Sequence, residues 1–197
     1  MYIGLDIGGT NMVAGLTNGA GKIINKVSRP VNKAWDPAEL CRQSAQLAQQ
    51  AAEVGGFAAD RIKAVGLGLP GLVDNKTGYV IQTPNMPFDN TPIREMFQAE
   101  WDVPVYLGND ANCAALGEAA VSGADDLLLV TLGTGVGGGI VSGGKLIVGA
   151  HGGAGEIGHM CLHAGGRACP LLIAKTPRRY DPWLKPRRLC RQNRSAA

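Results

Sequence analysis

Two glycine-threonine turns, each interrupting a strand-like apolar run, constrain this chain more than any other feature: Asp6-Ile7-Gly8-Gly9-Thr10 and Leu132-Gly133-Thr134-Gly135-Val136-Gly137-Gly138-Gly139. Glycine has no Cβ, so its backbone can reverse tightly or bring N–H groups close to an anion. Thr10 and Thr134 add hydroxyl donors. A glycine pair is also a good hairpin turn in its own right, so the first motif alone reads equally well as a plain connection. Two such turns on one chain have the chemistry to grip a polyphosphate from two sides, which points to nucleotide-dependent phosphoryl transfer. Asp6 ends what reads as a buried strand, where an unpaired carboxylate is costly. Holding the hydration shell of Mg2+ would account for it.

Apolar runs at 2–7 and 12–17 predict an antiparallel hairpin, with 22–27 as the third strand of a meander. Residues 36–54 carry apolar side chains at helical spacing, with Asp36 as N-cap, Pro37 in the first turn, Glu39 three residues on and Gly55-Gly56 as the stop. Strands are expected at 62–69, 79–81, 103–107, 127–132, 139–141 and 145–148, and helices at 90–101 and 110–121. A meander followed by strand-helix alternation indicates an α/β fold with a mixed sheet and flanking helices. A lobe boundary is expected at 121–126. It divides the chain into 1–121, 122–169 and a basic tail at 170–197.

A chain of 197 residues can bury a real core, and 45% hydrophobic with 18% charged residues is ordinary for a soluble globular protein. The first residues carry no signal-peptide pattern, and no apolar run approaches the ~18 residues of a membrane span. Five cysteines without secretory context read as reduced thiols in a cytoplasm. The net charge of +3 hides an asymmetry: residues 1–165 carry 10 Lys/Arg against 15 Asp/Glu, while 166–197 carry 9 Lys/Arg against Asp181. The body is mildly acidic, so no nucleic-acid surface is expected on it, and Tyr180 and Trp183 are few aromatics for base stacking in the tail.

Asn109-Asp110-Ala111-Asn112 follows a strand and opens a helix. Asn and Asp are favoured caps. The same carboxylate at the mouth of a sheet also suits a general base that takes a proton from a hydroxyl attacking a phosphoryl group. The stretch from His151 to His159, with one acid and two imidazoles among glycines, reads as a surface loop or as backbone wrapped around a small polar ligand. His159, Cys161, His163 and Cys169 look like half of a zinc site, or like scattered thiols, since no C-x2-C pair exists.

Together these motifs resemble the ROK family of sugar kinases, close to its bacterial glucokinase branch, within the actin-like (ribonuclease H-like) ATPase superfamily. The resemblance runs from residue 1 to about 169. It is carried by Asp6–Thr10, Gly66–Gly71, Thr83-Pro84-Asn85, Asn109–Glu118, Leu132–Gly139 and Gly155-Glu156-Ile157-Gly158-His159. It implies ATP-dependent phosphorylation of a hexose 6-hydroxyl, with glucose as the first expectation and mannose, fructose or N-acetylated hexosamines as alternatives. Asp110 would be the catalytic base. Gly71, Thr83, Asn85, Asn109, Asp110, Glu156 and His159 would bind the sugar. Asp6, Gly8, Gly9, Thr10, Asn11, Gly133, Thr134 and Gly135 would hold ATP, with Mg2+ near Asp6. Family members are commonly homodimers, and no membrane partner is implied. Repressors in the family carry a preceding helix-turn-helix, whereas here Met1 runs straight into the first strand.

The family also carries a zinc site, of which only His159 and Cys169 match here. The cysteines and the glutamate expected after Cys169 are replaced by Cys169-Pro170-Leu171-Leu172-Ile173. The second lobe is therefore expected to be incomplete, with a frameshift or recombination near residue 170 and weak or no turnover by the isolated chain. Sequencing the locus checks this: a family-like continuation should appear downstream in another frame.

Overall fold

The computed structural model describes residues 1–83, 86–133 and 135–160. Strict alternation shapes its first sheet. Strand β1 (Tyr2–Ile7) buries Ile3, Leu5 and Ile7 and turns Tyr2, Gly4 and Asp6 outward. It pairs antiparallel with β2 (Asn11–Thr17), which pairs antiparallel with β3 (Ile23–Pro30). Helix α1 (Pro37–Val54) begins where the Glu39 amide donates to the Asp36 carboxylate at 2.8 Å. It lays Leu40, Leu47, Ala48 and Ala51 over β1, β2 and β3. Strand β4 (Ala64–Leu69) then runs parallel to β1 on its free edge.

Between β4 and the next sheet strand lies a small antiparallel sheet of β5 (Leu72–Asp74), β6 (Tyr79–Gln82) and β7 (Asp89–Thr91). The short helix α2 (Ile93–Glu100) and β8 (Val105–Asn109) follow. Strand β8 runs parallel to β4, completing the order β3-β2-β1-β4-β8. The core of this unit, Met1–Asp110, lies between the inner face of the sheet and the two helices, with Met12, Leu16, Leu47, Val65, Leu69 and Phe97 at 0% exposure.

Helix α3 (Asp110–Ser122) leads into a second unit, which runs from Ala111 onward. The sequence reading puts this helix at the end of the first lobe. In the structure its Ala115 and Ala119 are buried with Val141, against Leu127, Leu129 and Leu146. The sheet there is β9 (Leu127–Leu132), β10 (Val136–Ser142) and β11 (Lys145–Ile147), all antiparallel in the order β11-β10-β9. This is the same meander order as β3-β2-β1.

Several element bounds shift: β3 runs on to Pro30, β4 starts at Ala64, and β10 starts at Val136, so that Val136–Gly139 of the second glycine motif is strand. The helix expected from Asn90 begins at Ile93, because Asn90 takes a left-handed φ of 45° and Thr91 pairs with Val80 of β6. The strand expected at 103–107 runs Val105–Asn109, because Leu69 of β4 pairs with Asn109. Strands β5 and β7 are too short for a periodic signal. Among the described residues, no helix is long and apolar enough to cross a membrane.

Leu47→Ala removes a side chain with 0% exposure, and should lower the unfolding free energy by about 3 kcal/mol in urea titrations. Asp36→Ala removes one capping bond and should cost about 1 kcal/mol in the same titrations.

Candidate functional site

Ligands of open α/β sheets gather at the carboxyl ends of parallel strands. Three neighbouring parallel strands end together in the first unit. β1 ends in Asp6-Ile7 and the Gly8-Gly9-Thr10 turn, β4 in Leu69 followed by Pro70-Gly71, and β8 in Asn109 followed by Asp110. Register fixes their level, since Asp6 is opposite Gly68, Gly68 opposite Gly108, and Leu69 opposite Asn109. The β4 and β8 residues level with Asp6 are therefore both glycines, Gly68 and Gly108, so no side chain stands beside Asp6 on that side of its row.

Asp6 feels the charge of Asp110. Partial enclosure by its neighbours, and then the Asp110 carboxylate, push the Asp6 carboxyl above the ordinary carboxylate range. Asp6 lies on the outward face of β1, not within the core that the sequence suggested. Its carboxylate is dehydrated by its surroundings while part of the residue stays open to solvent. An acid in the field of a second one is chemistry that suits a divalent cation such as Mg2+.

Gly8 donates its amide to the Asn11 carbonyl at 3.0 Å, and Val31 donates to the Thr10 carbonyl at 2.9 Å. These bonds close the turn as a hairpin and leave the Thr10 and Asn11 side chains exposed. Thus the plain-connection reading of this motif holds for the backbone, and its side chains face outward.

Asn109 donates from Nδ2 to the Gly71 carbonyl at 3.1 Å, tying the ends of β8 and β4. Gly71 has φ of 91°, and a Cβ there would lie 2.2 Å from the Gln82 carbonyl oxygen. Only glycine fits. The Thr83 hydroxyl donates to the Met86 carbonyl at 2.8 Å, so its proton closes the loop from Thr83 to Met86. Asn109 sits at the end of its strand and Asp110 is the first residue of α3, with no loop between them.

In the second unit, the glycines of Leu132–Gly139 divide into two kinds. A Cβ on Gly139 would lie 2.6 Å from Ala115 Cβ, and one on Gly138 2.6 Å from the Gly155 carbonyl oxygen. These glycines admit α3 and the 155–158 segment close to β10, so packing explains them. A Cβ on Gly133 or Gly135 would meet no described atom within 4 Å. Packing leaves those two unexplained, and they are the positions expected to face phosphate. Likewise Gly155 and Gly158 are packing glycines: a Cβ on Gly158 would lie 2.3 Å from the Val136 carbonyl oxygen. The loop between His151 and His159 is thus held against β10 rather than free. It presents Glu156 and His159 half-exposed on one short turn, with Oε2 and Nε2 3.6 Å apart.

Asn85, Thr134 and Cys169, together with Cys161, His163 and the 170–197 tail, lie outside the described residues. Among the described residues, no group of three or more His, Cys, Asp or Glu is placed to hold a metal. His159 is the one described member of the expected zinc set, and its near neighbour is Glu156. The rest of that set lies outside the described residues. Cys41 is buried, its thiol pushed up to about 12 by dehydration and then by Glu100, whereas Cys113 is exposed.

A model of the ROK family matches residues 2–170. A glucokinase of Halalkalibacterium halodurans is 45% identical over 109 residues, 53% of this chain and 33% of that enzyme. The crystal structure of a ROK hexokinase from Thermus thermophilus superimposes with a TM-score of 0.75 at 37% identity, covering 86% of this chain and 56% of that one. A ROK family glucokinase from Streptomyces griseus, solved in complex with glucose and AMPPNP, gives a TM-score of 0.75 at 34% identity, covering 85% and 53%. The chain spans about half the length of these solved relatives.

The raised Asp6 carboxyl makes stability depend on pH. As pH rises past about 3.9 the unfolded chain loses this proton first, so stability falls until the folded value is passed and stays lowered at neutral pH. Asp6→Asn should therefore melt above the wild type at pH 7. Its advantage should vanish below about pH 3.9 in thermal melts across that range.

Proposed function

The chain belongs to the ROK family, and on that footing we propose that it carries the sugar-binding and phosphate-gripping elements of a hexose kinase whose first substrate is glucose. The observation that carries the reading is the gathering of Asp6, Gly71, Asn109 and Asp110 at the carboxyl ends of β1, β4 and β8. The glucose and AMPPNP bound to the Streptomyces griseus relative support glucose and ATP as the pair.

In this reading Asp110 accepts the proton of the sugar 6-hydroxyl. That oxygen forms a bond to the γ-phosphorus of ATP as the bond to the ADP oxygen breaks. Asn109 and the Gly71 backbone orient the sugar beside Asp110, and Thr83, Asn85, Glu156 and His159 contact the remaining hydroxyls. The hairpin turns at Gly8–Asn11 and Gly133–Gly135 offer amides and hydroxyls to the phosphates, where positioning and charge neutralisation supply most of the acceleration. Mg2+ held near Asp6 would neutralise phosphate charge. These 197 residues match about half of a full-length relative, and we propose that turnover by them alone is weak or absent.

Glucose at millimolar concentration should raise the melting temperature of the chain by linkage. A coupled ATP-glucose assay should give turnover far below that of a full-length relative, and Asp110→Asn should bring any turnover to background while weakening, without abolishing, the glucose-dependent melting shift. A chain that is neither stabilised by glucose nor able to phosphorylate it overturns the reading.

A further inference from the structure

The β5–β6 turn is fastened to the rest of the first unit by one side chain that the sequence did not single out. Arg94, in the first turn of α2, is half-buried and has no carboxylate partner among the described residues. Its guanidinium donates instead to three backbone carbonyls. Nη2 reaches Asn75 at 2.6 Å, Nη1 reaches Lys76 at 3.0 Å, and Nε reaches Val105 of β8 at 3.1 Å. Its own amide donates to the Gly78 carbonyl at 3.1 Å. A planar fork with fixed donor directions can do this, and a lysine ammonium cannot. The turn is shaped to receive it. Gly78 has φ of 84°, and a Cβ there would lie 2.6 Å from Arg94 Cβ and 3.0 Å from Nε. Asp74 braces the same turn, accepting from the Lys76 amide at 2.9 Å and the Thr77 hydroxyl at 2.8 Å.

The geometry points to Arg94 as a positioning residue for the sugar site, an inference that rests on the proposed function. The β5–β6 hairpin starts just after Gly71 and ends just before Thr83. It is held at two points to β8 or its end. Arg94 clamps the tip to Val105, and Asn109, four residues along the same strand, holds the base at Gly71. Arg94 touches neither the carboxylates nor the phosphate turns. It acts by fixing where Gly71 and Thr83 stand relative to Asn109 and Asp110.

Arg94→Lys keeps the charge and loses the fork. In the full chain it should leave the melting temperature close to the wild type, speed amide exchange at residues 75–78 and 105–109, and weaken glucose binding about tenfold by titration calorimetry. Gly78→Ala, which pushes Arg94 away without altering its chemistry, should weaken glucose in the same direction. A wild type that shows no glucose binding overturns the sugar reading and this inference with it. A wild type that binds glucose while Arg94→Lys binds it equally tightly overturns the positioning role alone. Loss of folding in both variants also overturns it, because the clamp would then serve the fold and not the site.

Discussion

Strand β4 pairs in parallel with β1 on one side and β8 on the other, and the level of that pairing sets where the reactive side chains stand. The level is not free. Ile3, Leu5 and Ile7, Val65, Leu67 and Leu69, and Val105 and Leu107 all face α1 and α2. A slip of one residue would turn a whole strand's apolar set outward. The hydrophobic face therefore fixes the level of Asp6, Gly71 and Asn109 at the ends of three strands. The Asn109–Gly71 bond then ties two of those ends directly.

Bringing Asp6 near Asp110 has an electrostatic cost. Enclosure disfavours the ionised form of Asp6, and the Asp110 carboxylate adds to it. A fold selected only for stability gains nothing from that arrangement. A carboxyl perturbed in this way is the kind found where a site is built to hold a cation or move a proton.

The glycines carry different physical meanings that one letter in a sequence hides. Gly71 and Gly78 have left-handed backbones against which a side chain would collide. Gly138, Gly139, Gly155 and Gly158 permit close approach within the second unit. A Cβ on Gly133 or Gly135 would meet no described atom within 4 Å, so packing among the described residues does not require glycine there. The loop read from sequence as ligand-wrapping is, in its glycines 155 and 158, a packing contact with β10.

By itself the sequence determined the mixed α/β class, the two meanders and the span and cap of α1, because period-two alternation and Asp36-Pro37 are local signals. Family resemblance, rather than spacing, supplied the sugar and nucleotide roles. Tertiary structure alone decided the rest. It carried β8 on to Asn109 through pairing with β4, held Asn90 in β7 instead of a helix, set Asp6 on an outward face beside Asp110, and gave Arg94 its three carbonyls. Each of these depends on partners distant in sequence, brought together only when the strands align, and so none leaves a periodic trace along the chain.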